Sequence, residues 1–98
     1  MALPVQYTPT SRSTLNDVYR HISDKFGKIA ANRFLNKAER VISLVAENPM
    51  MYKSAIFDEN VRIALITPQT SLFYRISDHT IQLLFFWDNR QDQFIIES

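Results

Sequence analysis

Apolar side chains form two stripes at helical spacing and several runs in which they alternate along the chain. Each spacing predicts a different element. They alternate over residues 3–7, which predicts a short opening strand. Two stripes at helical spacing follow, on either side of Gly27, a residue suited to ending a helix. The stripes comprise Leu15, Val18, Tyr19, Ile22 and Phe26, and then Ala30, Phe34, Ala38, Val41, Ile42 and Val45.

The residues around these stripes set the ends of two helices. Thr8 and Pro9 suit the cap and the first turn of the first helix. The second helix is predicted over Lys28–Glu47, because Asn48-Pro49 disfavours its continuation. A connection as short as one glycine makes the two helices an antiparallel hairpin.

Three β-rich runs fill the second half of the chain, at residues 61–67, 71–77 and 80–87. The turns between them are short, which makes consecutive strands antiparallel neighbours. The sequence therefore predicts one α+β domain over residues 1–98, in the order β-α-α-β-β-β. In this fold the helix hairpin packs on one face of a small, twisted, mainly antiparallel sheet.

The last predicted strand is apolar on both of its faces. Strict alternation directs Ile81, Leu83, Phe85 and Trp87 toward the helices, and Gln82, Leu84 and Phe86 toward the other side. Leu84 and Phe86 then need a further partner, which is either a bound protein chain or the C-terminal tail. Arg75 shares their face if Tyr74 faces the helices, and it either binds a partner or covers a neighbouring aromatic ring.

Composition narrows the possible chemistry. The chain contains no cysteine and two histidines far apart, so we expect no disulfide, no metal site and no cofactor. The first ten residues lack the features of a signal peptide, and the longest apolar run, residues 83–87, is too short to cross a bilayer. We therefore expect a cytoplasmic protein that does not contact a membrane. The basic residues of the N-terminal half are interpreted as solvated helix faces.

The stretch SLFYRISDHTIQLLFFWDNRQD, residues 71–92, resembles the C-terminal half of ParE/RelE toxins. In those proteins a strand ending in Tyr-Arg-Ile or Tyr-Arg-Val meets an acidic turn, and a strand beginning with Thr-Ile follows and ends at an arginine-containing turn. The N-terminal half is similar too, and the resemblance spans roughly residues 5–94. The matching N-terminal features are the Tyr-Thr-Pro opening, Gly27, Ala31, Phe34-Leu35 and the helix end at Asn48-Pro49.

The resemblance implies a bacterial toxin of a type II toxin–antitoxin system, of the kind also called plasmid stabilisation proteins. Such a toxin is neutralised by a cognate antitoxin, a segment of which wraps the sheet and the helix hairpin. A homodimer or a toxin–antitoxin hetero-oligomer is consistent with this. The target is DNA gyrase in the ParE-like branch and messenger RNA on the ribosome in the RelE-like branch.

The residues that RelE-like ribonucleases use are only partly matched. Arg62 matches one of two basic positions but Ala64 stands at the other, and Ser71 replaces an arginine. Arg90 matches a turn arginine, whereas the tail reads Phe94-Ile95-Ile96 where an aromatic or His-Tyr pair is expected. Few groups remain for general acid–base chemistry. The sequence therefore favours a ParE-like binder of gyrase over an enzyme.

Two alternatives stay open. One is a ribosome-dependent endoribonuclease, with Arg62 and Arg90 as its candidate catalytic residues. The other is an inactive homologue that binds only its antitoxin. The candidates for contact with the antitoxin or the target are Arg75, Leu84, Phe86 and Arg90, although Arg90 has two nearby acids with which it can pair instead.

Overall fold

The computed structural model of the chain describes residues 2–89. It confirms the predicted α+β architecture and the order of its elements. The four strands form one sheet in the order β1-β4-β3-β2, in which β1 runs parallel to β4 and the other pairs are antiparallel. The elements are β1 (Val5–Tyr7), α1 (Pro9–Phe26), α2 (Lys28–Glu47), β2 (Val61–Thr67), β3 (Thr70–Ser77) and β4 (Thr80–Asp88).

Local sequence explains where the helices begin and end. The Thr8 hydroxyl accepts a hydrogen bond from the Ser11 backbone N–H at 3.0 Å, which caps α1, and Pro9 opens its first turn. Gly27 separates the helices at φ 94°, in a region that other residues avoid. Both helices pack their apolar stripes against one face of the sheet.

The main core lies between the helix hairpin and this face. Its largest fully buried side chains are contributed by the two central strands, β3 and β4. The buried core residues are Phe34, Ala38, Ile42, Val45, Ala64, Ile66, Leu72, Tyr74, Ile81, Leu83 and Phe86.

None of the helices within residues 2–89 is long and apolar enough to cross a membrane.

A β-bulge in β4 changes which side chains face the helices. Tyr74 of β3 lies opposite Leu83, but its neighbour Phe73 lies opposite Phe85, so Leu84 is the extra residue. From that point the alternation is shifted by one position. Phe86 therefore packs in the helix-side core.

Three facing predictions are corrected by this bulge. Phe85 and Trp87 lie on the face away from the helices, and Phe86, predicted on that face, is buried beneath the helices. Leu84 lies on the face away from the helices, as predicted. Strict alternation failed because one inserted residue reverses every later position of a strand.

Two threonines, the N-cap Thr8 and Thr14 of α1, bind the backbone around the bulge. The Thr8 hydroxyl donates to the carbonyl oxygens of Leu83 and Leu84, at 2.8 and 3.1 Å. The Thr14 hydroxyl accepts a hydrogen bond from the Phe86 backbone N–H at 2.8 Å. The paired part of β1 ends opposite Leu83, so these hydroxyls replace the missing strand partner.

We expect Thr14→Val to lower the free energy of unfolding by about 1–3 kcal/mol, because it leaves the partly buried Phe86 N–H without an acceptor. Amide exchange at Phe86 should accelerate as well. Urea denaturation and hydrogen exchange measure the two effects. Thr10→Val is the matched control, since Thr10 is exposed on the same helix. Equal losses for the two variants would show that the hydroxyl of Thr14 does not hold β4.

Candidate functional site

We define the open face as the side of β2, β3 and β4 that points away from the helices. It carries a second apolar cluster, separate from the main core. Phe73 is fully buried at its centre, whereas Leu65 is 56% exposed. The open face therefore combines a packed centre with an exposed apolar margin. Its apolar side chains are Val61, Ile63, Leu65, Phe73, Leu84, Phe85 and Trp87.

Four aromatic rings form a row across this face. Phe73 stacks on Phe85 with ring centroids 4.5 Å apart, and on Phe57 at 6.1 Å. Trp87 meets Phe85 edge to face at 6.5 Å. Rings in such contact present a large, rigid apolar surface, which is typical of protein-binding sites.

Residues 50–60, which we call the strap, connect α2 to β2 and wrap around the outer edge of β2. The strap forms two backbone hydrogen bonds with the first residues of β2. The Ile63 N–H donates to the Lys53 carbonyl oxygen at 3.0 Å, and the Ala55 N–H donates to the Val61 carbonyl oxygen at 2.7 Å. Its second half crosses onto the open face, where Phe57 reaches Phe73. The strap covers the first half of an edge strand that would otherwise expose unpaired backbone groups.

The Arg62 side chain fastens the start of the strap. Arg62 shares a face of β2 with buried Ala64, which packs against the helices, so it does not lie on the open face. Its Nη1 donates to the carbonyl oxygens of Tyr52 and, at 3.4 Å, of Met50. The candidate catalytic residue Arg62 is therefore held by backbone carbonyl oxygens on the helix side of the sheet.

Arg75 lies on the open face and pairs with the strap. Its Nη2 lies 3.4 Å from the Asp58 Oδ2, and both side chains are partly exposed. Exposed pairs of this kind contribute little stability, at most about 1 kcal/mol. The Asp58 carboxylate also accepts the Asn60 N–H at 2.9 Å, which shapes the turn that ends the strap.

Two donors on the open face have no hydrogen-bond partner within the described part of the chain. They are Arg75 Nε and Trp87 Nε1, and both atoms are buried. A buried donor without an acceptor costs about 1–3 kcal/mol.

The predicted contact residues divide into three groups. Arg75 and Leu84 lie on the open face, Phe86 does not, and Arg90 lies outside the described residues. Ser71 stands where RelE-like ribonucleases carry an arginine. Its hydroxyl donates a hydrogen bond to the buried Asn89 Oδ1 at 2.9 Å, and this bond fixes the end of β4. The contribution of the strap to the open face was not predicted from the sequence. The available signal is that Ala55 and Phe57 are apolar and lie next to the polar run Asp58-Glu59-Asn60.

Tyr74 connects the end of α2 to the sheet. Its hydroxyl donates to the Pro49 carbonyl at 2.7 Å, and its ring meets Tyr52 edge to face. Burial raises the pKa of Tyr74 from 10.0 to about 12, with the positive charge of Arg62 opposing that rise and Tyr52 adding to it. The neutral phenol is therefore the form that the fold requires.

This pKa predicts a loss of stability at high pH. The folded chain holds the Tyr74 proton more tightly than the unfolded chain, so the contribution is complete below pH 10 and is lost between pH 10 and about 12. Within that window the free energy of unfolding should fall by up to about 1.4 kcal/mol per pH unit. Urea denaturation of the wild type and of Tyr74→Phe, across that range, measures the difference. Parallel curves for the two proteins would contradict the assignment to Tyr74.

Among residues 2–89 no group of three or more histidine or acidic side chains is placed to hold a metal ion. The described side chains of the open face include aromatic rings, aliphatic side chains and Arg75, which pairs with Asp58. This arrangement suits the binding of another polypeptide.

Comparison with known proteins identifies the family of this chain. The sequence profile described as the ParE toxin of type II toxin–antitoxin system, parDE, matches residues 5–93. The chain belongs to the ParE toxin family. It is a ParE-family toxin of the type II toxin–antitoxin class, as its sequence predicted, and no curated protein matches it in sequence.

Two solved structures resemble this ParE-family toxin in fold. A chain of the chromosomal ParDE toxin–antitoxin system from P. aeruginosa has a TM-score of 0.76 at 15% identity, and the match covers 89% of this chain and 96% of that one. A chain of the RelBE2 toxin–antitoxin complex from Mycobacterium tuberculosis has a TM-score of 0.58 at 18% identity, covering 90% and 99%. At these identities the likenesses establish the fold.

Proposed function

We propose that a cognate antitoxin neutralises this ParE-family toxin by binding across the open face, and that the free toxin acts by binding DNA gyrase. The observation that carries the proposal is the aromatic row of the open face with its exposed margin at Leu65. An apolar surface of this kind is covered by a partner in most soluble proteins. The two similar structures come from a toxin–antitoxin system and a toxin–antitoxin complex, which supports such a partner.

The described residues of this face offer little for RNA cleavage, and the candidate Arg90 lies outside them. Attack by a 2′-hydroxyl needs a general base, a general acid and cations near the phosphorane. Within residues 2–89, the histidines lie on α1 and in the β3–β4 turn, Arg62 is on the helix side, and Arg75 pairs with Asp58. These placements favour binding over catalysis as the mode of toxicity.

Expression of the chain from an inducible promoter in bacteria tests the toxin assignment. We expect growth arrest, and we expect co-expression of a small protein encoded beside this chain to restore growth. A complex of the two proteins should then be isolated by size-exclusion chromatography. Unchanged growth together with complex formation would identify an inactive homologue that retains only its antitoxin.

A further inference from the structure

The exposed side of α2 carries a row of cations, which we call the α2 stripe. It consists of Arg33, Lys37 and Arg40, which stand at positions i, i+4 and i+7 and therefore project from one side of the helix. All three are exposed, and none makes an ion pair or a side-chain hydrogen bond with another residue in the range 2–89. Their sequence pattern alone indicates a solvated helix face. The structure adds that they form a single row about 10 Å long.

The acidic residues near the α2 stripe are few. Asp17 of α1 borders the same groove as the stripe, but it pairs with Arg20 at 3.3 Å. Glu39 lies on another side of α2, where it lines a separate groove together with Arg12. Asp88, at the end of β4, also borders the groove of the stripe.

Charge is unevenly divided between the two halves of the fold. The helix hairpin, Pro9–Glu47, holds seven basic and four acidic residues, whereas the rest of the chain holds four basic and six acidic residues. The net charge of the hairpin is thus opposite in sign to that of the remainder. A chain that is almost neutral overall therefore has a cationic side, and the α2 stripe is on it.

The tip of the hairpin, residues 25–29, continues this surface. Ile29 stands four residues before Arg33 and is thus on the same side of α2. Phe26 borders the groove that Arg33 also borders. Phe26 is 69% exposed and Ile29 is 73% exposed, and an exposed lysine precedes each of them. The cationic surface therefore ends in apolar side chains that are themselves flanked by positive charge.

We infer that the α2 stripe and the tip bind duplex DNA, with the cations on the phosphate backbone and Phe26 and Ile29 in the minor groove. The inference rests on the proposed function, because a toxin that binds gyrase is brought to the DNA that the enzyme holds. It gives the helix hairpin a partner of its own, on a surface distinct from the open face.

Charge density favours DNA over an acidic protein as this partner. A duplex presents one negative charge per about 1.7 Å of its axis, so about six phosphates lie along a row of 10 Å. Phosphates at that density meet all three cations of the stripe in any register. Apolar side chains beside cations are also typical of proteins that bind the minor groove, where Phe and Ile pack between base steps. Both features of the hairpin surface are then used by one ligand.

Fluorescence anisotropy with a labelled duplex of about 20 base pairs measures the binding of the purified toxin between about 50 and 200 mM salt. Three phosphate contacts predict a slope of about −2.7 for the logarithm of the association constant against the logarithm of the salt concentration. We expect Arg33→Gln plus Lys37→Gln to weaken binding at least about tenfold at the lowest salt and to reduce the slope by about 2.

Arg12→Gln plus Lys53→Gln is the matched control for this stripe variant. It also removes one exposed arginine and one exposed lysine, but Arg12 lines the other groove and Lys53 lies in the strap. The control should leave the salt slope unchanged. Urea denaturation should give both variants the stability of the wild type within about 0.5 kcal/mol, since all four positions are on the surface.

The tip is tested by Phe26→Ser plus Ile29→Ser. This variant should weaken the duplex by about tenfold, because two apolar side chains no longer leave water on binding. It should keep the salt slope of the wild type, because it removes no charge. Met51→Ser plus Ile56→Ser removes two exposed apolar side chains from the strap and should keep both affinity and slope.

Gyrase-bound DNA breaks separate this inference from the proposed function. Where the wild type produces such breaks, we expect the stripe variant to produce fewer than its matched control. If the wild type produces none, the proposed function fails and the anisotropy measurement alone decides DNA binding. Equal salt slopes for the stripe variant and its control, absence of duplex binding by the wild type, or a stripe variant that loses affinity only for the antitoxin would each overturn the inference.

Discussion

Phe73→Ala is expected to lower the free energy of unfolding by about 3–5 kcal/mol, a large part of the stability of a domain of this size. Phe73 is fully buried, and its ring stacks on Phe85 of β4 and on Phe57 of the strap. Removing the ring leaves a cavity between two strands and the strap. Urea denaturation measures the loss.

Phe57→Ala is the matched control, because it removes the same side chain from the other end of one of these contacts. Phe57 is 59% exposed, so its replacement should cost only about 1 kcal/mol. Losses of equal size would mean that Phe73 is not the centre of the open-face cluster. The cluster would then be held mainly by the strap.

Leu65→Asp is expected to weaken antitoxin binding by about 30-fold or more, a loss of about 2 kcal/mol, which is the size expected when an apolar anchor of an interface is removed. Leu65 is 56% exposed on the open face of the edge strand β2, beyond the part that the strap covers. A carboxylate there would have to be desolvated under the antitoxin. The free toxin should lose no more than about 1 kcal/mol of stability, since the position is on the surface.

Leu44→Asp provides the comparison for this second variant. Leu44 is also an exposed leucine, at 41%, but it lies on α2. Calorimetric titration of both variants with the co-purified antitoxin measures their affinities. Normal binding by Leu65→Asp and weak binding by Leu44→Asp would place the antitoxin on the outer side of the helices instead of the open face.

Local patterns predicted the helices and the order of the strands. Thr8, Pro9, Gly27 and Asn48-Pro49 act on their own neighbours, and these signals can be read from the sequence. The short turns between the last three strands similarly fix their antiparallel pairing. The structure confirms these parts of the predicted fold.

The bulge in β4 could not be predicted from its own residues. Residues 83–87 are all apolar, so either face could be buried and no alternation marks the inserted Leu84. The hydrogen bonds that hold this region come from Thr8 and Thr14, more than 70 residues earlier in the chain. The facing of Phe85, Phe86 and Trp87 therefore depends on tertiary contacts.

The place of Arg62 has a similar explanation. Its sequence position is compatible with a catalytic cation, but its partners are the carbonyl oxygens of Met50 and Tyr52 in the strap. The strap has no regular periodicity, and its path around β2 depends on contacts with Phe73 and Arg75. The candidate site was therefore predicted in its apolar character and only in part in its residues.

We propose that this ParE-family toxin acts by binding DNA gyrase and does not cleave RNA. The most direct test is to measure broken DNA covalently bound to gyrase after the toxin is induced, with messenger RNA ends mapped in the same cells. If the toxin acts on gyrase, gyrase-bound breaks should accumulate while messenger RNA stays intact. Codon-phased cleavage of messenger RNA without gyrase-bound breaks would show that the toxin is a ribonuclease instead.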